Sequence, residues 1–299
     1  MSKKHFTDTT WPVALLMSFM LISSTTSQAQ REPAPAQKEI LPEMPANVYD
    51  KVSPVTVRID CNQGEKNGTG SIVGITPQRR ALILTACHVV ARNFEEAKAD
   101  PDLPLEFYND MRVKILAEVT YVKVAVIARY VDRANDLALI VTAAPVSEDR
   151  VINYTLGEEI KSGQIVAAFG YPRTDELSQT VGRITRIQTP YLIFDAQIAP
   201  GSSGGPLIDQ TGRMIGLSTS TVQGEGYALQ INLVAPIVNG WLQGLKLKNT
   251  WQYEKNKALW QDWRFIAGGA VAVGVAATAI IASGGPTERQ DLPGPPALP

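Results

Sequence analysis

The sequence is poor in soft metal ligands and has no surplus of charge of either sign. It contains two cysteines and two histidines, whereas a structural zinc site usually takes four such ligands. Its 28 basic and 29 acidic residues leave a formal net charge of -1, so there is no positive field to hold a nucleic-acid backbone. We therefore expect no metal site, no cofactor and no nucleic-acid partner.

An apolar segment near the N-terminus has the pattern of a secretory signal peptide. Basic residues at positions 3 to 5 precede the apolar run Trp11–Ile22, and Ser27-Gln28-Ala29 supplies the small residues that a signal peptidase recognises. We predict a signal peptide over residues 1–29 and export across a bacterial-type inner membrane. An uncleaved signal anchor is the alternative.

A second apolar segment predicts a membrane anchor near the C-terminus. Residues 265–283 carry no charge and are long enough to cross a hydrocarbon core of about 30 Å. We predict a transmembrane helix over 264–284, a juxtamembrane segment over 246–263 and a disordered, proline-rich tail over 285–299. The protein would then be anchored in the membrane, on the periplasmic or another extracytoplasmic face.

The residues before this second segment are aromatic and basic. Trp251, Tyr253, Trp260 and Trp263 resemble the aromatic belt of a membrane interface. The basic residues among them oppose the tendency of positive charge to stay inside. A buried helix rich in alanine and glycine, or a segment that lies on a surface, is therefore the alternative to a membrane span.

Between the two ends the sequence is typical of an all-β domain. Short β-branched runs such as Val55–Ile59, Ala81–Leu84 and Leu137–Val141 alternate with turn residues, which favours a sandwich or a barrel. We place this domain at residues 47–245, after an extended linker rich in proline and alanine over 30–46. The predicted helices are few: one over 46–51, one after His88 and one over 237–245.

Three short motifs contain the residue types that together activate a serine hydroxyl. His88 directly follows an apolar strand, Asp136 precedes another, and Ser203 lies in the run Gly-Ser-Ser-Gly-Gly-Pro. An imidazole can take the hydroxyl proton and deliver it to a leaving amine, while a carboxylate holds the imidazole in the right tautomer. Glycines at 201 and 204 permit a tight backbone, so that the amides of Gly201 and Ser203 can converge on an oxyanion.

Each motif alone has an ordinary explanation. A histidine beside a strand is more often a satisfied polar group, an aspartate before a strand is commonly a turn residue, and a Gly-Ser run can be a flexible loop. The three motifs together favour a catalytic site over these ordinary explanations. His88, Asp136 and Ser203 follow one another in an all-β sequence in the order of one known triad arrangement.

The runs around these residues resemble the trypsin-like serine proteases, and more narrowly the bacterial HtrA-type group. The runs are Thr85–Val90, Asn135–Leu139 and Asp195–Leu207, with Gly68–Ser71 and Phe169–Pro172 matching in the same order. The resemblance covers about residues 46 to 240. It implies two six-stranded antiparallel β-barrels of chymotrypsin-like fold with the site in the cleft between them. The PDZ domains usual in that group have no counterpart here, so peptide sensing through them is not carried over.

This resemblance implies a serine endopeptidase that hydrolyses exported or membrane-proximal proteins through an acyl-enzyme. Its partners would be protein or peptide substrates, the membrane through the C-terminal helix, and other copies of itself in a homo-oligomer. By the same resemblance Gln197 lies at the floor of the primary specificity pocket, and Thr219, Ser220 and Thr221 form its wall. We expect cleavage after small or medium aliphatic residues.

Two questions stay open at this point. Cys61 and Cys87 could form a disulfide, which an exported protein permits, or could be two buried small side chains; the resemblance favours the second, because it places position 87 in the barrel core. The alternative function is a catalytically idle protease fold that serves as a binding or scaffold module in a membrane complex. A third interpretation, a membrane protein whose apolar C-terminus drives assembly and in which proteolysis is incidental, does not exclude the endopeptidase.

Overall fold

The computed structural model describes residues 43–254, except residues 117, 119, 157, 158, 174 and 175 and the side chains of residues 128 and 129. The predicted signal peptide, nearly all of the linker, the transmembrane helix and the tail lie outside the described residues. Within the described residues, no helix is both long and apolar enough to cross a membrane.

The first six strands form an antiparallel barrel. They run β1 (Thr56–Cys61), β2 (Lys66–Ile75), β3 (Ala81–Ala86), β4 (Met111–Lys114), β5 (Val122–Asp132) and β6 (Leu137–Thr142). Neighbours in the sheet follow the order β1-β4-β5-β6-β3-β2, and β1 also pairs with β2, which closes the barrel.

The next six strands form a second closed antiparallel barrel. They run β7 (Ile165–Gly170), β8 (Ser178–Gln188), β9 (Tyr191–Phe194), β10 (Pro206–Ile208), β11 (Met214–Val222) and β12 (Glu225–Gln230). Their order is β10-β11-β12-β9-β8-β7, and β7 pairs with β10 to close the barrel. The predicted all-β architecture of two six-stranded barrels is therefore confirmed.

Apolar side chains fill the barrels and the space between them. One group of buried residues, including Val166, Phe194 and Ile215, fills the second barrel. A larger group fills the first barrel and continues through Phe169 and Leu217 to the helices that pack outside the sheets. The two barrels thus share one continuous apolar interface, which is what fixes a cleft between them.

In the part of the chain that the structure describes, four α-helices accompany the barrels: α1 (Ala46–Val52), α2 (Cys87–Val90), α3 (Phe94–Ala99) and α4 (Ile231–Leu242). The last helix begins six residues before the predicted start at residue 237. Pro236 favours a boundary there because proline removes one backbone hydrogen bond, yet it lies inside α4. The buried face formed by Val234, Ala235 and Val238 keeps the helix intact around it.

The C-terminal part of the described chain packs against the barrels, and the domain does not end at residue 245 as predicted. We call residues 246–254 the C-terminal strap. Its short strand β13 (Asn249–Thr250) pairs with the end of β2. Trp251 is 3% exposed, and its indole nitrogen donates a 2.8 Å hydrogen bond to Asn239 of α4. Trp251 therefore belongs to the domain core, and its assignment to an interfacial aromatic belt is wrong.

The strap also holds the connection between the two barrels. The Lys248 ammonium lies 2.6 Å from the Asp149 carboxylate, and the Trp251 ring packs 4.6 Å from the ring of Tyr154. Beyond them, the amide of Glu254 donates to the carbonyl of Tyr154, and Arg213 of the second barrel donates to the carbonyl of Glu254. Nine residues thus contact both barrels and the segment that joins them.

Both cysteines are free thiols in buried positions, so the disulfide alternative is not formed in the structure. Cys61 ends β1 and donates to the carbonyl of Val89, 3.5 Å away, while Cys87 begins α2. Burial raises the pKa of each thiol to about 12. Since the thiolate is the reactive form, both side chains act as small apolar core residues.

We expect Trp251→Ala to lower the free energy of unfolding by about 3–5 kcal/mol, because it removes a buried indole and leaves Asn239 without its donor. Urea denaturation followed by circular dichroism measures the loss. Tyr253→Ala is the matched control; Tyr253 is 43% exposed, and we expect a loss below about 1 kcal/mol. Equal, small losses in both variants would show that the strap is not part of the cooperative core.

Candidate active site

The register of β3 and β6 brings His88 and Asp136 together. Ala86 at the end of β3 is paired with Leu137 at the start of β6. The residues that follow Ala86 must therefore lie beside the residues that precede Leu137. In agreement, the amide of Cys87 donates to the carbonyl of Asp136. The Nδ1 atom of His88 lies 2.7 Å from Oδ2 of Asp136, and the amide of His88 donates to Oδ1 at 2.9 Å.

A tight turn before β6 sets the position of Asp136. Its φ of 56° lies in the left-handed region, which aspartate tolerates better than most residues. The turn is held by Asp132, whose carboxylate accepts from the amide and the side chain of Asn135. Both carboxylate oxygens of Asp136 are engaged by His88, which holds the imidazole in one orientation.

Two consecutive reverse turns that share Ser202 position Ser203, which lies in the second turn. The first runs Ala199-Pro200-Gly201-Ser202 and the second runs Ser202-Ser203-Gly204-Gly205. In each the amide of the fourth residue donates to the carbonyl of the first, at 2.9 and 3.0 Å. Their third residues, Gly201 and Gly204, have φ of 105° and 83°, which is the requirement of a type II turn. We call residues 199–205 the serine turn.

The serine turn is packed so closely, Gly204 against the first barrel and Gly201 against the residue after β7, that neither glycine can carry a side chain. A Cβ on Gly204 would lie 2.3 Å from both the carbonyl of Thr69 and the hydroxyl of Thr85, and one on Gly201 would lie 2.4 Å from the carbonyl of Tyr171. Thr69 closes this contact, since its amide donates to the Ser203 carbonyl at 2.8 Å and its hydroxyl to the Gly201 carbonyl at 2.7 Å.

The amides of Gly201 and Ser203, which we predict to stabilise an oxyanion, have no hydrogen-bond acceptor among the described residues. Because the carbonyls of Gly201 and Ser203 accept from Thr69, they are turned toward the first barrel. No described residue accepts a hydrogen bond from the amide of Gly201 or from that of Ser203. Two adjacent free donors of this kind can stabilise a developing negative charge.

The hydroxyl of Ser203 is the one predicted group whose partner differs from expectation. It donates a 3.0 Å hydrogen bond to the backbone carbonyl of Thr219, whereas activation requires a hydrogen bond to His88. Thr219 and His88 line the same cleft of about 240 Å³, so the hydroxyl stands beside this cleft but is not directed at the imidazole.

The predicted specificity residues are divided between two clefts. Gln197 and Thr221 line a cleft of about 420 Å³ beneath the serine turn, together with Ile198 and Ala199. Thr219 and Ser220 instead line the cleft that contains His88. No lining residue of the cleft with Gln197 carries a charge, so it suits an uncharged side chain.

Two residues that support the site were not predicted. Thr69 lies in the Gly68–Ser71 motif, which the sequence analysis singled out. The hydrogen bonds of Thr69 to the serine turn could not be predicted, because they depend on how the two barrels pack together. Arg133 donates to the carbonyls of Ala97, Pro101 and Leu103 and so fastens the segment after α3 to the turn before Asp136; no sequence signal pointed to it.

Among the described residues, no cluster of histidine, cysteine and carboxylate side chains could hold a metal ion.

Comparison with known proteins identifies the family. The sequence model of the trypsin-like peptidase domain matches residues 68–217, which is half of the chain. The chain belongs to the trypsin-like peptidase family. The match begins in β2 and ends in β11, so it contains His88, Asp136 and Ser203.

Its relatives place this trypsin-like domain with the HtrA-type serine proteases. It is 27% identical over 207 residues to the serine protease Do-like HtrA of Bacillus subtilis, covering 60% of this chain and 40% of that protein. A probable periplasmic serine endoprotease, DegP-like, of Halomonas elongata is 33% identical over 116 residues, covering 36% and 24%. The chain thus spans less than half the length of these relatives.

The fold agrees with this assignment. The crystal structure of the serine endoprotease from Yersinia pestis superposes with a TM-score of 0.54 at 20% sequence identity, covering 69% of each chain. At this identity the likeness concerns the fold alone. Together with the family match it shows an HtrA-type, trypsin-like serine protease domain built on two barrels.

We expect Gly201→Ala to disable the site more than it destabilises the fold. The added Cβ must displace the serine turn from Tyr171, which moves one free amide, and loss of one such donor typically costs on the order of 10²–10³ in turnover. Gly163→Ala is the matched control, with φ of 83° and nothing within 4 Å of the new Cβ. It carries a similar backbone strain, about 1 kcal/mol, and lines neither the cleft of His88 nor that of Gln197.

Casein hydrolysis and thermal melting of both variants make the comparison. Equal losses of activity at equal stability would contradict a specific role for the Gly201 amide.

Proposed function

We propose that the chain is a serine endopeptidase that hydrolyses peptide bonds through an acyl-enzyme on Ser203. His88 acts as general base and then as general acid, and Asp136 orients its imidazole. The observation that carries the proposal is the His88–Asp136 pair, joined at 2.7 Å at a cleft that is also lined by Thr219, the residue whose carbonyl accepts from the Ser203 hydroxyl. The family membership supports the same chemistry.

In the first step the Ser203 oxygen attacks the carbonyl carbon of the scissile bond while its proton passes to Nε2 of His88. The carbonyl oxygen becomes an oxyanion, which the amides of Gly201 and Ser203 stabilise as hydrogen-bond donors. His88 then gives its proton to the leaving amine, and the acyl group stays on Ser203. Water repeats the same steps to release the second product.

The substrates we propose are exported or membrane-proximal proteins, cleaved after small or medium aliphatic residues. Support for the location comes from the predicted signal peptide and from the periplasmic DegP-like relative. Support for the preference comes from the uncharged lining of the cleft of Gln197 and Thr221, because a cationic side chain there would find no counter-charge. Membrane anchoring and self-association remain predictions from the sequence.

One observation favours the alternative of an idle binding or scaffold module. The Ser203 hydroxyl donates to the Thr219 carbonyl, so the serine must rotate before it can react. A module without activity would keep this hydrogen bond in the presence of any peptide, whereas an enzyme would exchange it. Covalent labelling of the serine separates the two functions.

We expect a fluorophosphonate probe to label the full chain at Ser203 and Ser203→Ala to abolish both labelling and casein hydrolysis. The reagent reports a nucleophilic serine because its phosphorus is attacked as fluoride leaves. Ser162→Ala is the control, since Ser162 donates to the carbonyl of Thr185 in a turn of the second barrel; its labelling should be unchanged. Labelling of membrane and soluble fractions tests the location in the same experiment.

Label that persists in Ser203→Ala would refute the assignment of the nucleophile.

We further expect Gln197→Asp to raise kcat/KM for peptides with Lys or Arg before the scissile bond by about tenfold, which is ~1.4 kcal/mol from a new ion pair. Gln197→Asn, of the same size and without charge, should leave the preference aliphatic. Peptide-library profiling measures both variants. A wild-type enzyme that already prefers Lys or Arg would contradict the proposed specificity.

A further inference from the structure

A groove outside the candidate active site lies beside a bulge of the first barrel. Val126 of β5 pairs with Ile140 of β6, and Val131 pairs with Ala138, so the chain of β5 between Val126 and Val131 has only Leu139 opposite it. The groove next to this bulge has a volume of about 1060 Å³ and reaches the turn after β2 and the chain that follows α4. We call it the bulge groove. Its lining contains six aliphatic side chains: Leu82, Val126, Ile127, Val141, Leu245 and Leu247.

The charged residues of the bulge groove are all positive. Arg80 and Lys246 line it, and no lining residue is acidic. Their neighbours Arg79 and Lys248 share the carboxylate of Asp149, at 3.1 and 2.6 Å. Arg80 donates only through Nε, to a backbone carbonyl of β6, and neither its Nη nitrogens nor the Lys246 ammonium has a partner among the described residues. The groove therefore combines an aliphatic lining with two positive charges that no described carboxylate neutralises.

The shape of the bulge groove favours a narrow occupant. All six aliphatic side chains are buried or half-buried, so they recede from the surface, and a flat bilayer or protein face does not reach them. A single flexible chain can enter the groove and contact them from within. The volume is at the upper end of the roughly 300–1,000 Å³ range in which proteins bind small ligands.

We propose that the bulge groove binds a long-chain fatty acid, with its acyl chain against the aliphatic lining and its carboxylate at Arg80 and Lys246. The two Nη nitrogens of a guanidinium match the two oxygens of a carboxylate, and the ammonium of Lys246 adds a second positive charge. An alcohol or a cationic head group on the same chain would leave these charges unpaired.

This site goes beyond the proposed endopeptidase activity and does not depend on it. The lining of the bulge groove shares no residue with the cleft of His88 or with that of Gln197. Both parts of the ligand contribute to binding. Burial of one methylene is worth roughly fourfold in affinity, and a hydrogen bond to a charged group is worth about tenfold or more.

The test uses the full chain in membranes and a hexadecanoic acid that carries a diazirine near the end of its chain. On irradiation the diazirine loses nitrogen, and the resulting carbene inserts into a neighbouring C–H bond of the protein. Peptide mass spectrometry then locates the label. Hexadecanol with the same diazirine is the matched probe, since it has the same chain without the charge. Label elsewhere in the chain is the reference for probe dissolved in the bilayer.

We expect the acid to label the residues of the bulge groove, and the alcohol to label them about tenfold less relative to that reference. Dodecanoic acid should displace the photoreactive acid from the groove, whereas acetate, which has the carboxylate without the chain, should not. Equal labelling of the groove by acid and alcohol would overturn the proposal. Label from the acid that lies only outside the groove would overturn it as well.

Charge variants test the carboxylate contact. Arg80→Gln combined with Lys246→Gln should lower groove labelling by the acid about tenfold or more and leave labelling by the alcohol unchanged. Lys161→Gln is the control, because it removes a positive charge from an exposed ion pair with Glu159; its groove labelling should equal that of the wild type. An unchanged label in the double variant contradicts the proposed role of the two cations.

A second variant tests the acyl chain without any change of charge. Val141→Trp places a larger side chain in the groove and should lower groove labelling by about tenfold or more, since the indole occupies the space of several methylenes. Val222→Trp adds the same bulk at a position that is 50% exposed and outside the groove, and should label like the wild type. Equal groove labelling in these two variants would count against the acyl-chain site.

Two further arms separate this site from a bilayer contact and from the proposed function. Phosphatidylglycerol vesicles that displace the probe from the groove as well as dodecanoic acid does would show that the groove takes a membrane lipid and would reject the fatty acid. Ser203→Ala should keep the full groove label. Loss of fluorophosphonate labelling in that variant concerns the endopeptidase alone, whereas loss of its groove label would reject an independent site.

Discussion

Close backbone contact between the serine turn and β2 is the constraint on which the site depends. Thr69 binds this turn through its amide and its hydroxyl, and the absent side chain of Gly204 lets the two backbones approach within the space that a Cβ would need. This contact joins residues from different barrels without any covalent link. A shift of one barrel against the other would break it before it disturbed either barrel's own ladder.

Each barrel then supplies one half of the chemistry with little further adjustment. In the first barrel the register of β3 and β6 fixes His88 against Asp136, because both residues lie one or two positions beyond the last paired residues. In the second barrel the two type II turns fix the amides of the serine turn. His88 and Ser203 come close to each other only if the two barrels pack in the right relative position. The interface between the barrels is therefore as important to the site as either motif.

The sequence predicts the architecture well and marks the motifs that carry the proposed reacting residues, because both are local signals. Short alternating strands mark the barrels, and the motifs around His88, Asp136 and Ser203 each carry their own turn chemistry. The start of α4 was misplaced, since Pro236 is a helix-breaking signal that tertiary packing overrides. The role of Trp251 was missed for a related reason: its hydrophobicity suits a membrane interface and a protein core equally.

Other features depend on contacts that are distant in sequence and leave no local pattern. Whether Thr219 lines the cleft of His88 or that of Gln197 is decided by a bulge in β11. The bulge in turn depends on pairing with β12, which the sequence pattern did not identify as a strand. The partner of the Ser203 hydroxyl depends on the same bulge.

The C-terminal strap has a consequence for how the domain can be joined to other chains. Glu254 at its end lines the same surface cleft, of about 460 Å³, as Asn47 at the beginning of α1. The two points where the described chain begins and ends are therefore neighbours on one side of the molecule. Such a domain is suited to insertion as a cassette within a loop of a host protein, or to circular permutation with new ends at the exposed turn after Val222.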